Sequence, residues 1–138
     1  YQAVRANEVF GSLNTDQRKK AMVAKSPHEE SISHRATGYD GIAVGELSAD
    51  QKGLVEKVMS DLLSPYRQED VDEVMKVITA NGGLEKIHLA YYQTDQDGKN
   101  ADIGKDGVWD IWRLEGPGFV WHFRGYPHVH TWVNIAAV

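Results

Sequence analysis

The sequence contains no cysteine. That excludes disulfides, thiolate nucleophiles and cysteine-ligated zinc or iron–sulfur centres together. It contains no apolar run near the ~18 residues that a membrane-spanning helix needs. It has no block of like charge, and a net charge of −5 with a pI near 5.6 argues against an electrostatic nucleic-acid binder. No Gly-x-Gly-x-x-Gly or P-loop run is present, so no dinucleotide or phosphate cradle is indicated. No Gly-x-Ser-x-Gly elbow accompanies the serines, histidines and aspartates. Proline is scarce, at 4 residues, and each one falls at a break in the periodic pattern.

What remains is an ordinary globular composition, 41% hydrophobic and 25% charged over 138 residues. That is one domain's length and enough to bury a core. Val4, Val9, Phe10 and Leu13 mark a helix over Gln2–Leu13. Asn14 and Gln17 form a capping-box spelling, which predicts a second helix running through Met22–Lys25 to Ser26-Pro27. Gly45–Lys52 echoes Gly11–Arg18 as Gly-x-Leu-x-x-Asp-Gln-basic. Shared helix-start chemistry explains the echo better than duplication. Ser48 caps a helix through Leu63, with Leu54, Val55, Val58, Leu62 and Leu63 on its inner stripe. Another runs over Glu69–Ala80 with Val71, Val74, Met75, Val77 and Ile78 inward, and Asn81-Gly82-Gly83 ends it. Between them, residues 28–43 lack periodicity and carry His34, Arg35, Tyr39 and Asp40, the composition of a functional loop.

Ile87–Gln93 is a strand candidate. The hydrophilic loop over 95–106 matches a calcium loop only at Asp95, Asp97 and Gly98, and Lys99 occupies the next ligand position, so calcium is not expected. The remaining stretch, 107–138, holds all 4 tryptophans and 3 of the 6 histidines. A three-residue turn at Gly116-Pro117-Gly118 and another at Gly125-Tyr126-Pro127 predict a β-meander. That register pairs Arg113 with Trp121 and His122 with His130. It assigns Trp109, Ile111, Arg113, Glu115, Phe119, Trp121, Phe123, Val129, Thr131, Val133 and Ile135 to a core face. Arg113 and Glu115 then read as a partly buried ion pair near the first turn. The other face collects Asp110, Trp112, Leu114, Val120, His122, Arg124, His128, His130, Trp132 and Asn134.

Two imidazoles at His128 and His130 on one side of a strand, with His122 across from them, have the spacing of a three-histidine metal site with an open position. Asp110 can orient an imidazole from behind, and Arg124 can hold an anion. Without sulfur ligands, copper, zinc and non-haem iron suit such a site, copper or zinc best. His88 and His34 are reserve ligands. A plainer alternative has the histidines hydrogen-bonding at a packed surface among tryptophans.

The runs Trp112-Arg113-Leu114-Glu115-Gly116, Leu47-Ser48-Ala49-Asp50-Gln51, Leu62–Arg67 and Phe123–His130 resemble the bacterial domain-of-unknown-function-3500 family. Larger members resemble a Trp-Arg-x-Glu-Gly run followed directly by a histidine pair, where this sequence has Pro117-Gly118. The resemblance implies frequent export behind a signal peptide, and Tyr1 as first residue fits a processed chain. It implies no reaction.

The expectation is therefore a single α+β domain. N-terminal helices, about 1–83, pack on a C-terminal antiparallel meander, about 84–138. Its expected role is that of an extracytoplasmic, periplasmic or secreted, metal-binding protein, a copper- or zinc-dependent enzyme among the options, using His122, His128 and His130. Metal ions or small molecules are the expected partners. The alternatives are a non-catalytic module stacking a planar ligand on Trp112, Trp132 and Tyr126, and a structural or assembly protein.

Overall fold

Asn14 and Ser48 mark the points at which the chain turns helical. In the computed structural model, which describes residues 2–99, 108–126 and 128–136, α1 spans Gln2–Ser12, α2 Thr15–Ala21, α3 Ala49–Leu63 and α4 Gln68–Ala80. The Asn14 and Ser48 side chains each accept a hydrogen bond from the backbone N–H three residues on, and their own backbone N–H groups donate to the side-chain oxygens of Gln17 and Gln51. The two glutamines also bond to each other, Gln51 Nε2 donating to Gln17 Oε1 at 2.8 Å. The repeated spelling is thus helix-start chemistry, used to join the starts of α2 and α3.

Six strands form the sheet: β1 (Met22–Val23), β2 (Ile42–Ala43), β3 (His88–Tyr92), β4 (Ile111–Gly116), β5 (Phe119–Arg124) and β6 (His130–Ile135). Their order is β1-β3-β4-β5-β6, with β2 also pairing β3. All pairings are antiparallel except that of β1 with β3. Met22 therefore ends the second helix earlier than its periodicity predicts. Its backbone goes to Tyr91 across the sheet, a long-range pairing that no local pattern signals. The α+β layout, four helices preceding a mostly antiparallel sheet, is as the sequence predicts.

One sheet face packs on the helices. Leu89, Tyr91, Trp112, Leu114, Phe119, Trp121 and Phe123 share a core with Val9, Val55, Val58 and Leu62. Tyr91 donates its hydroxyl proton to Ala6 O, and the Phe10, Tyr91 and Trp109 rings pack against one another. In α3 the buried stripe is Val55, Val58, Met59, Leu62 and Leu63. In α4 only Ile78 is fully buried, while Val71, Val74 and Val77 of its expected inner stripe are half-buried and Met75 is exposed.

Both meander turns differ from the expected three residues. Gly116 pairs with Phe119, leaving Pro117-Gly118 as a two-residue turn. Pro117 presets its own φ, and Gly118 takes φ 69°, the combination that defines a type II turn. This shift of one residue turns β4 over. Trp112 and Leu114 enter the helix-side core, while Ile111, Arg113 and Glu115 take the opposite face. Arg124 pairs with His130, so the second connection is longer than the expected three residues. That shift is by two, so the faces of β5 and β6 stand as expected but their cross-strand neighbours change.

A Cβ on Gly118 would lie 2.1 Å from Ala136 O. Gly118→Ala is therefore expected to lower the unfolding free energy by about 2–4 kcal/mol, from positive-φ strain and the clash. Urea denaturation at neutral pH would measure it, and a loss within about 0.5 kcal/mol would mean that the turn relaxes freely.

Candidate functional site

The sheet face away from the helices carries His88 and Tyr92 on β3, Arg113 and Glu115 on β4, His122 and Arg124 on β5, and His130, Trp132 and Asn134 on β6. It is covered by the irregular segment 24–41. That segment has few backbone bonds of its own, and side chains rising from the sheet satisfy much of its main chain. Arg113 Nη1 donates to Ser31 O at 2.9 Å and Nη2 to His28 O at 3.4 Å. Asn134 Nδ2 donates to Ile32 O at 2.7 Å. Tyr92 donates its hydroxyl to the Asp40 carboxylate, and Glu29 pairs with Arg124. Gly41 lets the segment return against β3, where a Cβ would lie 2.1 Å from Leu89 O.

Arg113 and Glu115 are 2% and 3% exposed, though both are charged. Their side chains lie 3.6 Å apart, and Arg35 from the covering segment forms the closer ion pair with Glu115. That hydrogen bond holds the Arg35 guanidinium above its usual basicity, against the opposing effect of its burial. Arg113, Glu115 and Arg35, with Pro27, Ser31 and Ser33, line a cleft of about 230 Å³. Tyr39 donates to Arg35 O, and its ring lies 5.3 Å from the His88 ring.

His122 is fully buried. Arg113 Nε donates to its Nδ1 at 3.0 Å. A guanidinium N–H can only donate, so Nδ1 accepts and the imidazole proton sits on Nε2. Neither nitrogen then offers a lone pair to a metal ion. Burial first, then the positive charges of Arg113 and Arg124, depress its pKa to about 3. Trp132 lies across from it, where His130 was expected. His130 instead faces Arg124, whose Nη2 is 2.8 Å from its Nδ1. The His128 and His130 rings are adjacent, with centroids 4.4 Å apart.

The three histidines of the expected metal site are therefore split between the interior and the edge of the sheet. Among the described residues no group of three or more His, Asp or Glu side chains converges to hold a metal ion. Asp110 precedes β4, and its carbonyl accepts from Gly125 N. Trp112 is buried on the helix side, stacked on Phe123, and cannot join Trp132 and Tyr126 in a ligand platform. His88 lies beside Glu115 on the polar face, and His34 sits in the covering segment. Four ring nitrogens here are buried without a hydrogen-bond partner among the described residues: both of His34, Nδ1 of His88 and Nε2 of His122. The calcium-like loop closes on itself as far as it is described. Asp95 Oδ1 accepts from the Asp97 and Lys99 N–H groups, and residues 100–107 lie outside the described residues.

The family model described as "Protein of unknown function (DUF3500)" matches residues 2–133. The chain belongs to the DUF3500 family. No curated protein and no solved structure matches it. In this DUF3500 chain the Trp112–Gly116 run supplies both buried charges of the cleft and one tryptophan of the helix-side core. The assembly that sequence reasoning missed is Arg35–Glu115–Arg113. Its two signals were visible separately, as charges inside an aromatic strand and as a long loop carrying an arginine.

His122 makes the fold pH-dependent in a defined direction. Folded, its imidazole stays neutral down to a pH of about 3, whereas the unfolded ring takes up a proton near about 6.5. Between these values the unfolded chain binds more protons. The stability contribution is complete above about pH 6.5 and declines as pH falls, by at most about 1.4 kcal/mol per unit. Replacing His122 with Gln should flatten the profile of unfolding free energy between about pH 6.5 and pH 4. An unchanged slope in urea titrations would show that His122 is not the group responsible.

Proposed function

We propose that this DUF3500 chain is a non-catalytic binding module for a small polar molecule, held in the cleft between residues 24–41 and the polar sheet face. The observation that carries the proposal is the Arg113 guanidinium, 2% exposed and yet on the wall of an open cleft. Burying an ion pair is often no more stabilising than apolar packing, so stability alone is a weak reason for it. A guanidinium has five N–H donors, and His122, Ser31 and His28 occupy three of them. Arg35, the Ser31 and Ser33 hydroxyls and the Glu115 carboxylate add donors and an acceptor. That mixture suits a compact ligand with both kinds of group, a hydroxy acid or a sugar derivative. Among the described residues no base is hydrogen-bonded to either serine hydroxyl, which favours binding over nucleophilic catalysis.

A second reading rests on the 4.4 Å approach of the His128 and His130 rings. A copper or zinc ion held by these two, with the remaining ligands from solvent or another molecule, is the form of the metal hypothesis that this geometry favours. It requires His130 to release Arg124.

The two readings separate in one set of measurements. A thermal-shift panel of hydroxy acids, dicarboxylates and monosaccharides should contain ligands that raise Tm by about 5–10 °C at about 100 Kd. Ser33→Phe, a substitution at an exposed cleft wall, should abolish the shift, and the double variant His128→Ala/His130→Ala should keep it. Ligands that bind the Ser33→Phe protein as well as the parent would sink the cleft proposal. Near-stoichiometric metal in protein purified without chelator, lost in the double variant, would favour the second reading.

A further inference from the structure

We infer that the cleft selects a small 2-hydroxy monocarboxylate, whose single negative charge balances the one guanidinium charge that the fold leaves in excess there. This rests on the reading of the cleft as a binding site and adds the charge and size of its ligand. Three charged side chains line it, Arg35, Arg113 and Glu115, two cations against one carboxylate. Glu115 makes its closer pair with Arg35 and lies 3.6 Å from Arg113. Among the described residues, every hydrogen-bond partner of Arg113 is neutral: the carbonyls of His28 and Ser31, and His122. The His122 imidazole carries no charge at neutral pH, because burial and the two arginines near it hold its pKa at about 3. Arg124 on the same sheet face is paired with Glu29. Asp40 lies outside the lining, where its carboxylate accepts from the Tyr92 hydroxyl. Its pull on Arg35 is weaker than that of Glu115.

The outcome is a positive charge, 2% exposed, that shares its carboxylate with a second arginine. Buried charges are ordinarily paired in full. A neutral ligand would cover this one and leave it unbalanced. A dianion would bring its second carboxylate up to Glu115, and like charges meeting at a desolvated contact repel. A monocarboxylate accepts from the guanidinium N–H groups that His122 and the two carbonyls leave free, a charge-assisted bond. Glu115 keeps lone pairs for a ligand hydroxyl beside that carboxylate. The cleft volume of about 230 Å³ is below the about 300–1,000 Å³ of pockets that enclose drug-sized molecules, and it suits an acid of about three or four carbons.

Glycerate, tartronate and glycerol share one carbon frame and differ in charge, so titrating each into the chain by calorimetry separates charge from size. At neutral pH glycerate should bind at least about tenfold more tightly than the dianion tartronate or neutral glycerol. Glu115→Gln raises the excess to two charges and should reverse the order, with tartronate tighter than glycerate. Arg35→Gln changes a side chain that is 42% exposed, so the fold should tolerate it. It removes the excess and should bring glycerate to within about threefold of glycerol. A purely structural role for either side chain would weaken all three ligands alike. Tartronate or glycerol binding the parent as tightly as glycerate, or glycerate keeping its lead in Arg35→Gln, would overturn the inference and leave the cleft standing. So would binding confined to larger hydroxy acids or sugars. Glycerate binding that Ser33→Phe leaves unchanged would remove the cleft itself, and no binding by any of these compounds would end both.

Discussion

The Arg113 guanidinium is the contact on which the polar half of the molecule depends. It is buried, so its N–H groups must find acceptors within the fold. It finds them at His122 across the hairpin and at the carbonyls of His28 and Ser31 in the covering segment. One side chain thereby joins two strands to a segment with no regular structure of its own. Removing one partner from a buried charged network typically costs about 3–5 kcal/mol, far more than an exposed contact. The Glu115 carboxylate, held between Arg113 and Arg35, balances the charge from the other side.

The helix side obeys a different physics. There Trp112, Phe123, Tyr91 and Phe10 pack on α1 and α3 with few polar demands, and Tyr91 satisfies its one hydroxyl on Ala6 O. The sheet is thus apolar on the face that specifies the fold and polar on the face that a covering segment closes. Burial of both faces explains why β4 is buried from end to end. It also explains why a cleft persists, since polar side chains that hold a segment by its backbone leave gaps that interdigitating aromatics would fill.

Much of the fold was legible because it is written locally. Asn14 with Gln17 and Ser48 with Gln51 announce two helix starts, and Pro65 and Gly82-Gly83 mark the breaks around α4. β4 was misread because both its faces are buried. Ile-Trp-Arg-Leu-Glu has no solvent side, so alternation could not say whether Arg113 or Trp112 faced the helices, and one residue of turn length decided it. In β5 and β6 the error was two residues, which preserves the face and moves the neighbours. His122 was read on the correct face but opposite His130 rather than Trp132, and that exchange separates the three histidines. The Arg35–Glu115 pair was not legible at all, since a separation of 80 residues leaves no periodic trace.

The tautomer of His122 is the most direct test of Arg113 as the organiser of this face. Long-range nitrogen–proton NMR on the intact chain reads it without a mutation. An Arg113 hydrogen bond into Nδ1 requires Nδ1 to be bare and Nε2 to carry the proton. That state should persist from about pH 8 to about pH 4.5 and should ignore added zinc. A proton on Nδ1, a titration near pH 6.5 as for a solvated imidazole, or a zinc-dependent shift at Nε2 would contradict it.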